Sequence, residues 1–278
     1  MSEIERLRSQ LKRLSLHMMA QIFEEEALKA SKSEMSYTAF LARLVDEEVA
    51  AKIDRSVSAR IAKARLPVLR TLEEFDFAFQ PSLAPARLRE LAELGFLERA
   101  ENILFVGRPG VGKTHLSIAL ALRACQARKR VLFVQAMDLL ESLLAADATR
   151  GLGKLIETLG RLDLLVVDEL GYIPMDSRRA NLFFQLVNRL YTRASLIITT
   201  NVPFDSWGKV FGGDEVIAAA ILDRLLHHSH VFLITGPSYR MQGKLAQSLD
   251  QTAELKHDIS QALPSGVGQI SDGKPGQV

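Results

Sequence analysis

The sequence predicts an α/β fold in which a parallel five-stranded sheet is sandwiched by helices and preceded by a small all-α N-terminal module. From Asn102 onward, short apolar runs alternate with helical segments, and strands that alternate with helices form parallel sheets covered on both faces. Before residue 67, apolar residues instead recur at three- and four-residue steps, the period of amphipathic helices. A glycine-rich loop links the first strand of the sheet to the helix that follows it.

The N-terminal module is predicted to occupy residues 1–66. We expect one helix over residues 3–30 and a second from Tyr37 to about Ala64, ending before Pro67. A module of this size has little core of its own, so its apolar stripe is expected to pack on a partner or a neighbouring subunit.

Basic residues are concentrated near the end of this module. No acid lies between Arg55 and Arg70, a pattern that suits contacts to a phosphate backbone and equally suits a solvated helix face, so both interpretations stay open. The candidate DNA contacts are Arg55, Arg60, Lys63 and Arg65, with Arg178 and Arg179 from a later helix.

Residues 67–101 are predicted to join the module to the core. They carry three phenylalanines close to the glycine-rich loop, which could wall a base pocket or belong to the ordinary core, and core packing is the preferred interpretation. These are Phe75, Phe77 and Phe79.

The predicted core covers residues 102–244. Strands are expected at 102–106, 131–135, 163–168, 195–199 and 231–235, and helices at 113–127, 137–146, 178–193 and 215–228. A looser stretch is expected after residue 146, around Gly151 and Gly153. Residues 245–278 are polar and rich in glycine and proline, and we expect a disordered tail there.

The glycine-rich loop reads Gly-Arg-Pro-Gly-Val-Gly-Lys-Thr and is typical of a P-loop NTPase. Glycines allow the tight turn, and the following helix directs its positive dipole end at the phosphates of ATP. Lys113 is expected to reach the β- and γ-phosphates, and the Thr114 hydroxyl to bind Mg²⁺. The predicted nucleotide contacts are Gly107, Pro109, Gly110, Val111, Gly112, Lys113, Thr114 and His115, the last with structural packing as its alternative role.

Two later strands end in polar residues suited to hydrolysis. Asp168 and Glu169 follow a buried apolar run, where Asp168 would hold Mg²⁺ and Glu169 would polarise the attacking water. Asn201 follows the next strand and could orient that water, although an asparagine before Val202-Pro203 also suits a simple turn. In a parallel sheet these strand tips lie side by side.

Composition narrows the class of protein. The chain has 278 residues, 47% of them hydrophobic, a formal net charge of +2 and one cysteine. It has no apolar run of eighteen residues and no signal-peptide core at its N-terminus, so we expect a cytoplasmic protein that does not span a membrane.

Several segments together resemble the IstB transposition helper ATPases, which are AAA+ proteins related to the DnaC and DnaI helicase loaders. The resemblance runs from about residue 5 to residue 243. Its segments are Asn102–Gly107, Gly112–Leu116, Val167–Tyr172, Thr199–Asn201, Asp223–His228 and Gly236–Arg240. The segment from Asp223 to Arg240 points to this family in particular, because the ATPase motifs alone occur in many families.

The resemblance implies an AAA+ ATPase that assembles into an oligomer on double-stranded DNA without sequence preference and stimulates a transposase. It also implies that Arg224 acts as a finger on ATP held by the neighbouring subunit, whereas the residues alone favour an ion pair with Asp223 or Glu215. Arg240 matches a family position whose role stays open between phosphate and DNA. The alternatives are a helicase loader of DNA replication that prefers single strands, and a nucleotide-sensing scaffold that does not hydrolyse ATP.

Overall fold

The computed structural model describes residues 2–241, and the predicted tail lies outside this range. Five helices precede the sheet: α1 (Glu3–Arg13), α2 (His17–Lys32), α3 (Tyr37–Ala64), α4 (Pro85–Ala92) and α5 (Gly95–Glu98). The rest comprises β1 (Asn102–Gly107), α6 (Lys113–Gln126), β2 (Val131–Gln135), α7 (Ala136–Ala148), α8 (Leu152–Leu159), β3 (Leu164–Leu170), α9 (Ser177–Leu190), β4 (Ser195–Thr200), α10 (Trp207–Val210), α11 (Glu215–His227) and β5 (Ser229–Ile234).

The five strands form one parallel sheet in the order β2-β3-β4-β1-β5, which confirms the predicted sheet. β1 lies between β4 and β5, with Ile103 opposite Ile197 on one side and His230 on the other. All carboxyl ends of the strands therefore meet at one edge of the sheet, which is where the glycine-rich loop begins.

Helices cover both faces of the sheet, as the near-continuous apolar strands require. Alternate residues such as Leu165 and Val167 point into a core shared with α7, α9 and α11. Their neighbours, such as Leu164 and Val166, pack against α6 and against apolar residues of the segment between α3 and β1. That segment is thus part of the main core.

The expectation of a single helix over residues 3–30 is wrong, because the chain breaks between α1 and α2 at Ser15, whose φ is 57°. The buried Glu48 of α3 accepts the N–H groups of Met18 and Met19 at 2.7 and 3.0 Å and so caps the start of α2. Burial would raise the pKa of Glu48, but these N–H bonds and nearby cations hold it below its ordinary value. The break is fixed by a tertiary contact that local periodicity does not reveal.

Two other expectations need correction. The stretch expected to be loose contains α8, with Gly153 inside the helix. The helical stretch that the sequence predicts from Arg87 to Glu98 is two short helices, α4 and α5, separated at Leu94, whose φ is 66°. Within residues 2–241, no helix is long and apolar enough to cross a membrane.

Candidate functional site

The loop between β1 and α6 requires glycine at defined positions. Gly110 and Gly112 have φ values of 82° and 100°, in the left-handed region that other residues rarely adopt. A Cβ atom on Gly112 would lie 2.5 Å from Cε2 of Phe75. A side chain at position 112 would therefore collide with Phe75. The loop leads directly into the N-terminus of α6, which is a favourable position for anions.

Lys113, the first residue of α6, lies along this loop. Its Nζ donates hydrogen bonds to the carbonyl oxygens of Gly107 and Arg108 at 2.7 and 2.9 Å. Burial lowers the pKa of Lys113, an effect that the negative charges of Asp168 and Glu169 partly oppose. The ammonium group is thus held within the loop, facing two carboxylates.

Asp168 is fully buried at the tip of β3 and is fixed by several hydrogen-bond donors. The Thr114 hydroxyl lies 3.0 and 3.1 Å from its two carboxylate oxygens, and the Thr199 hydroxyl donates to Oδ1 at 2.6 Å. Nε2 of Gln135 donates to Oδ2 at 3.3 Å. Such a network holds a buried carboxylate in one orientation beside the loop.

Glu169, the residue after Asp168, has a strained backbone conformation. Its φ is 59°, and the register of β3 against β4 shifts between Val167 and Leu170, as in a β-bulge. The Glu169 N–H donates to the Thr199 hydroxyl at 2.9 Å. The bulge exposes the Glu169 side chain to the cleft, and strain of this kind is concentrated at functional sites.

A cleft of about 850 Å³ opens over the loop at the carboxyl edge of the sheet. It brings together most of the residues predicted for the site, and it is also lined by Phe75, which is buried and so serves both as core and as wall. The predicted residues that line the cleft are Pro109, Gly110, Gly112, Lys113, Thr114, His115, Glu169 and Asn201. The side chain of Val111 instead packs in the core below.

Residues 236–241, here called the cover segment, close one side of this cleft. The Tyr239 N–H donates to the Gly110 carbonyl at 3.0 Å, and the Tyr239 hydroxyl donates to the Asp76 carbonyl at 2.5 Å. Burial raises the pKa of Tyr239 to about 12, so the phenol keeps its proton. Arg240 lines the cleft, and its charge contributes to lowering the pKa of Lys113.

His115 ties the joining segment to the loop. Its Nε2 lies 2.8 Å from the Thr71 carbonyl and therefore donates, since a carbonyl only accepts. The His115 ring meets the edge of Phe75 at a centroid distance of 5.2 Å. His115 therefore packs the cleft wall as well as lining the cleft.

Arg224 lies outside the lining of this cleft. On α11, its Nε donates to Oδ1 of Asn188 at 2.9 Å, its Nη1 donates to the Ala220 carbonyl at 3.0 Å, and its guanidinium lies over the Phe184 ring. Within the described residues no carboxylate pairs with it, so the expected ion pair with Asp223 or Glu215 is not formed.

The candidate DNA contacts fall into two groups, and neither lines the cleft. Three are held by carboxylates: Arg55 by Glu48, Arg178 by Asp147, and Arg179 by Asp176 and Glu141. Arg60, Lys63 and Arg65, at the end of α3, form no ion pair within residues 2–241.

Sequence reasoning missed three residues of the site. Thr199 joins Asp168 to the Glu169 backbone, Gln135 orients Asp168 from the edge strand, and Tyr239 fastens the cover segment over the loop. Thr199 and Gln135 lie near the carboxyl ends of β4 and β2, but their contacts with Asp168 depend on strand order and register, which the sequence does not reveal.

Comparison with known proteins decides the family. The family described as IstB-like ATP binding protein matches residues 9–247. The chain belongs to this family. It is 45% identical to an ATP-binding protein of insertion sequence IS21 from Pseudomonas aeruginosa, over 88% of this chain and 91% of that protein. Identity is 40% to the corresponding protein of IS5376 from Geobacillus stearothermophilus, over 89% and 98% of the two chains.

Solved structures of AAA+ proteins share the fold. AMPPCP-bound DnaA from Aquifex aeolicus superposes with a TM-score of 0.50 at 21% identity, over 60% of this chain and 51% of that one. DnaI gives a TM-score of 0.50 at 20% identity, over 60% of this chain and 91% of that one. The IstB-like chain is therefore an ATP-binding protein with the AAA+ fold and an ATPase.

Proposed function

We propose that this IstB-like ATPase is a DNA-binding helper of transposition that assembles on duplex DNA and stimulates or targets a transposase. Its relatives at 40% identity and above are ATP-binding proteins of insertion sequences. The observation that carries the proposal is the combination of this family match with a cleft that brings together Lys113, Thr114, Glu169 and Asn201.

Mg²⁺ fits the oxygen atoms beside the loop. The Thr114 hydroxyl and the Asp168 carboxylate lie within 3.1 Å of each other, and hydroxyl and carboxylate oxygens are the ligands that Mg²⁺ prefers. Bound there, Mg²⁺ would neutralise charge on the β- and γ-phosphates. Hydrogen bonds from Thr199 and Gln135 would hold the Asp168 carboxylate in place as the charge on the phosphates changes.

The remaining residues divide the work of hydrolysis. Lys113 exchanges its loop carbonyls for the β- and γ-phosphates of ATP. Glu169, exposed in the cleft, accepts a proton from the attacking water, and Asn201 on the same wall orients that water. Arg240 faces the same space and adds positive charge near the phosphates.

The position of Arg224 supports hydrolysis at a subunit interface. Asn188, the Ala220 carbonyl and the Phe184 ring hold its guanidinium in one pose outside the lining of its own cleft. Such a preorganised arginine is suited to stabilise charge on ATP bound by a neighbouring subunit. ATP turnover would then depend on assembly.

Sedimentation of the protein with labelled duplex or single-stranded DNA, with and without ATP, tests the proposal. We expect large ATP-dependent complexes on duplex DNA, which Lys113→Ala prevents. The matched control Lys154→Ala removes an exposed lysine from α8 and should assemble normally. Preference for single strands would favour the helicase-loader alternative, and assembly that does not respond to ATP or to Lys113→Ala would contradict the proposal.

A further inference from the structure

A second concave surface lies at the opposite edge of the sheet from the ATP cleft. It is a groove of about 510 Å³, here called the basic groove, formed where α3 crosses the amino end of the edge strand β2 and meets the end of α8. Five of its lining residues are cations: Arg60, Lys63, Lys129, Arg130 and Arg161. They come from three separate elements, so only the folded chain brings them together.

Three of these five cations form no ion pair with another residue of the range 2–241. Asp163 pairs with Arg130 at 2.8 Å and Glu157 pairs with Arg161 at 2.7 Å. The other three cations have no carboxylate oxygen within 4.0 Å among residues 2–241, and the buried Nε of Arg60 has no hydrogen-bond partner there. The groove therefore suits a partner that supplies negative charge and hydrogen-bond acceptors.

The side chains that line the groove restrict the chemistry of that partner. Besides the cations, the lining residues that the structure describes comprise two hydroxyls, Ser56 and Thr158, and small or aliphatic residues, with no carboxylate or amide. A peptide would bring backbone N–H donors for which these side chains offer few acceptors, whereas phosphodiester oxygens only accept. Among residues 2–241, no aromatic ring lines the groove on which an unpaired base could stack, which disfavours single strands.

We propose that the basic groove binds the phosphate backbone of duplex DNA, with Lys63 and Lys129 as direct phosphate contacts. This inference rests on the proposed function, because it assigns the surface through which the ATPase holds DNA. It adds the turn between α6 and β2 and the end of α8 to the DNA contacts, and it removes Arg55, Arg178 and Arg179, which are paired internally.

DNA and nucleotide then occupy opposite edges of one sheet. Val131, in the groove floor, is the first residue of β2, whereas Gln135 at the other end of that strand contacts Asp168 of the ATP cleft. DNA in the groove would leave the cleft open. We therefore expect groove substitutions to leave the ATP affinity, measured without DNA, unchanged.

Fluorescence anisotropy with a labelled duplex, at a series of salt concentrations and with ATP present, tests the inference. The test protein is the full chain with Lys63→Ala and Lys129→Ala together. Each phosphate contact contributes about 0.9 to the slope of log affinity against log salt, so loss of two contacts lowers that slope by about 1.8. The ratio of wild-type to variant affinity should then shrink about twelvefold between 50 and 200 mM salt.

Two further variants control for structure. Lys63→Arg with Lys129→Arg keeps the charges and should keep both the affinity and the salt slope. Arg178→Ala removes a cation that is already paired with Asp147 and should bind duplex DNA as the wild type does. An ATP affinity equal to that of the wild type, measured without DNA, shows that the double alanine variant is folded.

The outcomes separate this inference from the proposed function. If the wild type binds duplex DNA and the double alanine variant binds with the same affinity and slope, the basic groove inference is wrong and the proposed function survives. If the wild type binds no duplex DNA with or without ATP, the proposed function itself fails. Retained DNA binding with loss of an acidic protein partner would identify the groove as a peptide site and overturn the inference.

Discussion

Thr199→Val tests how Asp168 and Glu169 are held in the cleft. The Thr199 hydroxyl donates to the Asp168 carboxylate and accepts the Glu169 N–H, so one buried oxygen links both acids. Valine has nearly the same shape but can do neither. The substitution therefore removes two hydrogen bonds without opening a cavity.

The magnitude follows from these two bonds. A hydrogen bond to a buried carboxylate contributes about 1.5–3 kcal/mol and the N–H bond about 1 kcal/mol, so we expect a loss of about 3 kcal/mol. For a domain of this size that corresponds to a fall in Tm of about 6–12 °C. Glu169 also loses the contact that fixes its strained backbone, and a shift of about 1 Å should lower kcat roughly 100-fold.

The assay combines thermal unfolding, ATP affinity and single-turnover hydrolysis. The control is Thr200→Val at the next residue, which is equally buried and whose hydroxyl, within residues 2–241, bonds only to Val202. It should lower Tm by about 2–4 °C. ATP affinity should change less than about threefold in both variants, because the loop residues are untouched. Equal Tm and equal kcat for the two variants would refute the role assigned to Thr199.

Three other predictions follow from the site and the fold. Arg224→Ala should bind ATP but not hydrolyse it. Mixing this variant with Lys113→Ala should restore ATP turnover if the arginine acts across a subunit boundary. No recovery in the mixture would contradict that role of Arg224. Gly112→Ala should abolish ATP binding in a filter assay, because its Cβ would lie 2.5 Å from Phe75 and its φ is 100°; unchanged affinity would show that the loop tolerates a side chain. The hydrogen bond from Arg99 lowers the pKa of Glu101 to about 2. The contribution of the Glu101 carboxylate to the free energy of unfolding is therefore complete above pH 4.5 and is lost towards pH 2. Glu101→Gln should have a lower Tm than the wild type at pH 7, and this difference should shrink as the pH falls from 4.5 to 2. A difference that stays constant with pH would contradict the lowered pKa of Glu101.

The fold and most cleft residues could be predicted because their signals are local. A strand, a glycine-rich loop and a helix are contiguous, and the two acids follow directly from an apolar run. The contribution of Thr199 could not be predicted, because it depends on the register between β3 and β4 and on the bulge at Glu169. The bulge is visible only when both strands are aligned.

Long-range packing explains the other misses. The break between α1 and α2 depends on Glu48, which lies thirty residues from the N–H group of Met18 that it caps. The basic groove joins α3 to Lys129 and Arg161, which are remote from it in sequence. Charge density along the chain identified Arg60 and Lys63 as candidate DNA contacts. It could not distinguish them from Arg55, which is paired with Glu48 in the folded chain.

The position of β1 between β4 and β5 imposes an order on synthesis. Both of its neighbours, β4 and β5, come later in the chain, so the strand that carries the ATP-binding loop emerges with no strand to pair with. About 90 residues separate the end of β1 from the start of β4, which at ~5–20 residues per second is roughly 4–18 s of translation. During that time an apolar strand stays unpaired, and nascent chains stalled before β4 should be protease-sensitive there and unable to retain ATP.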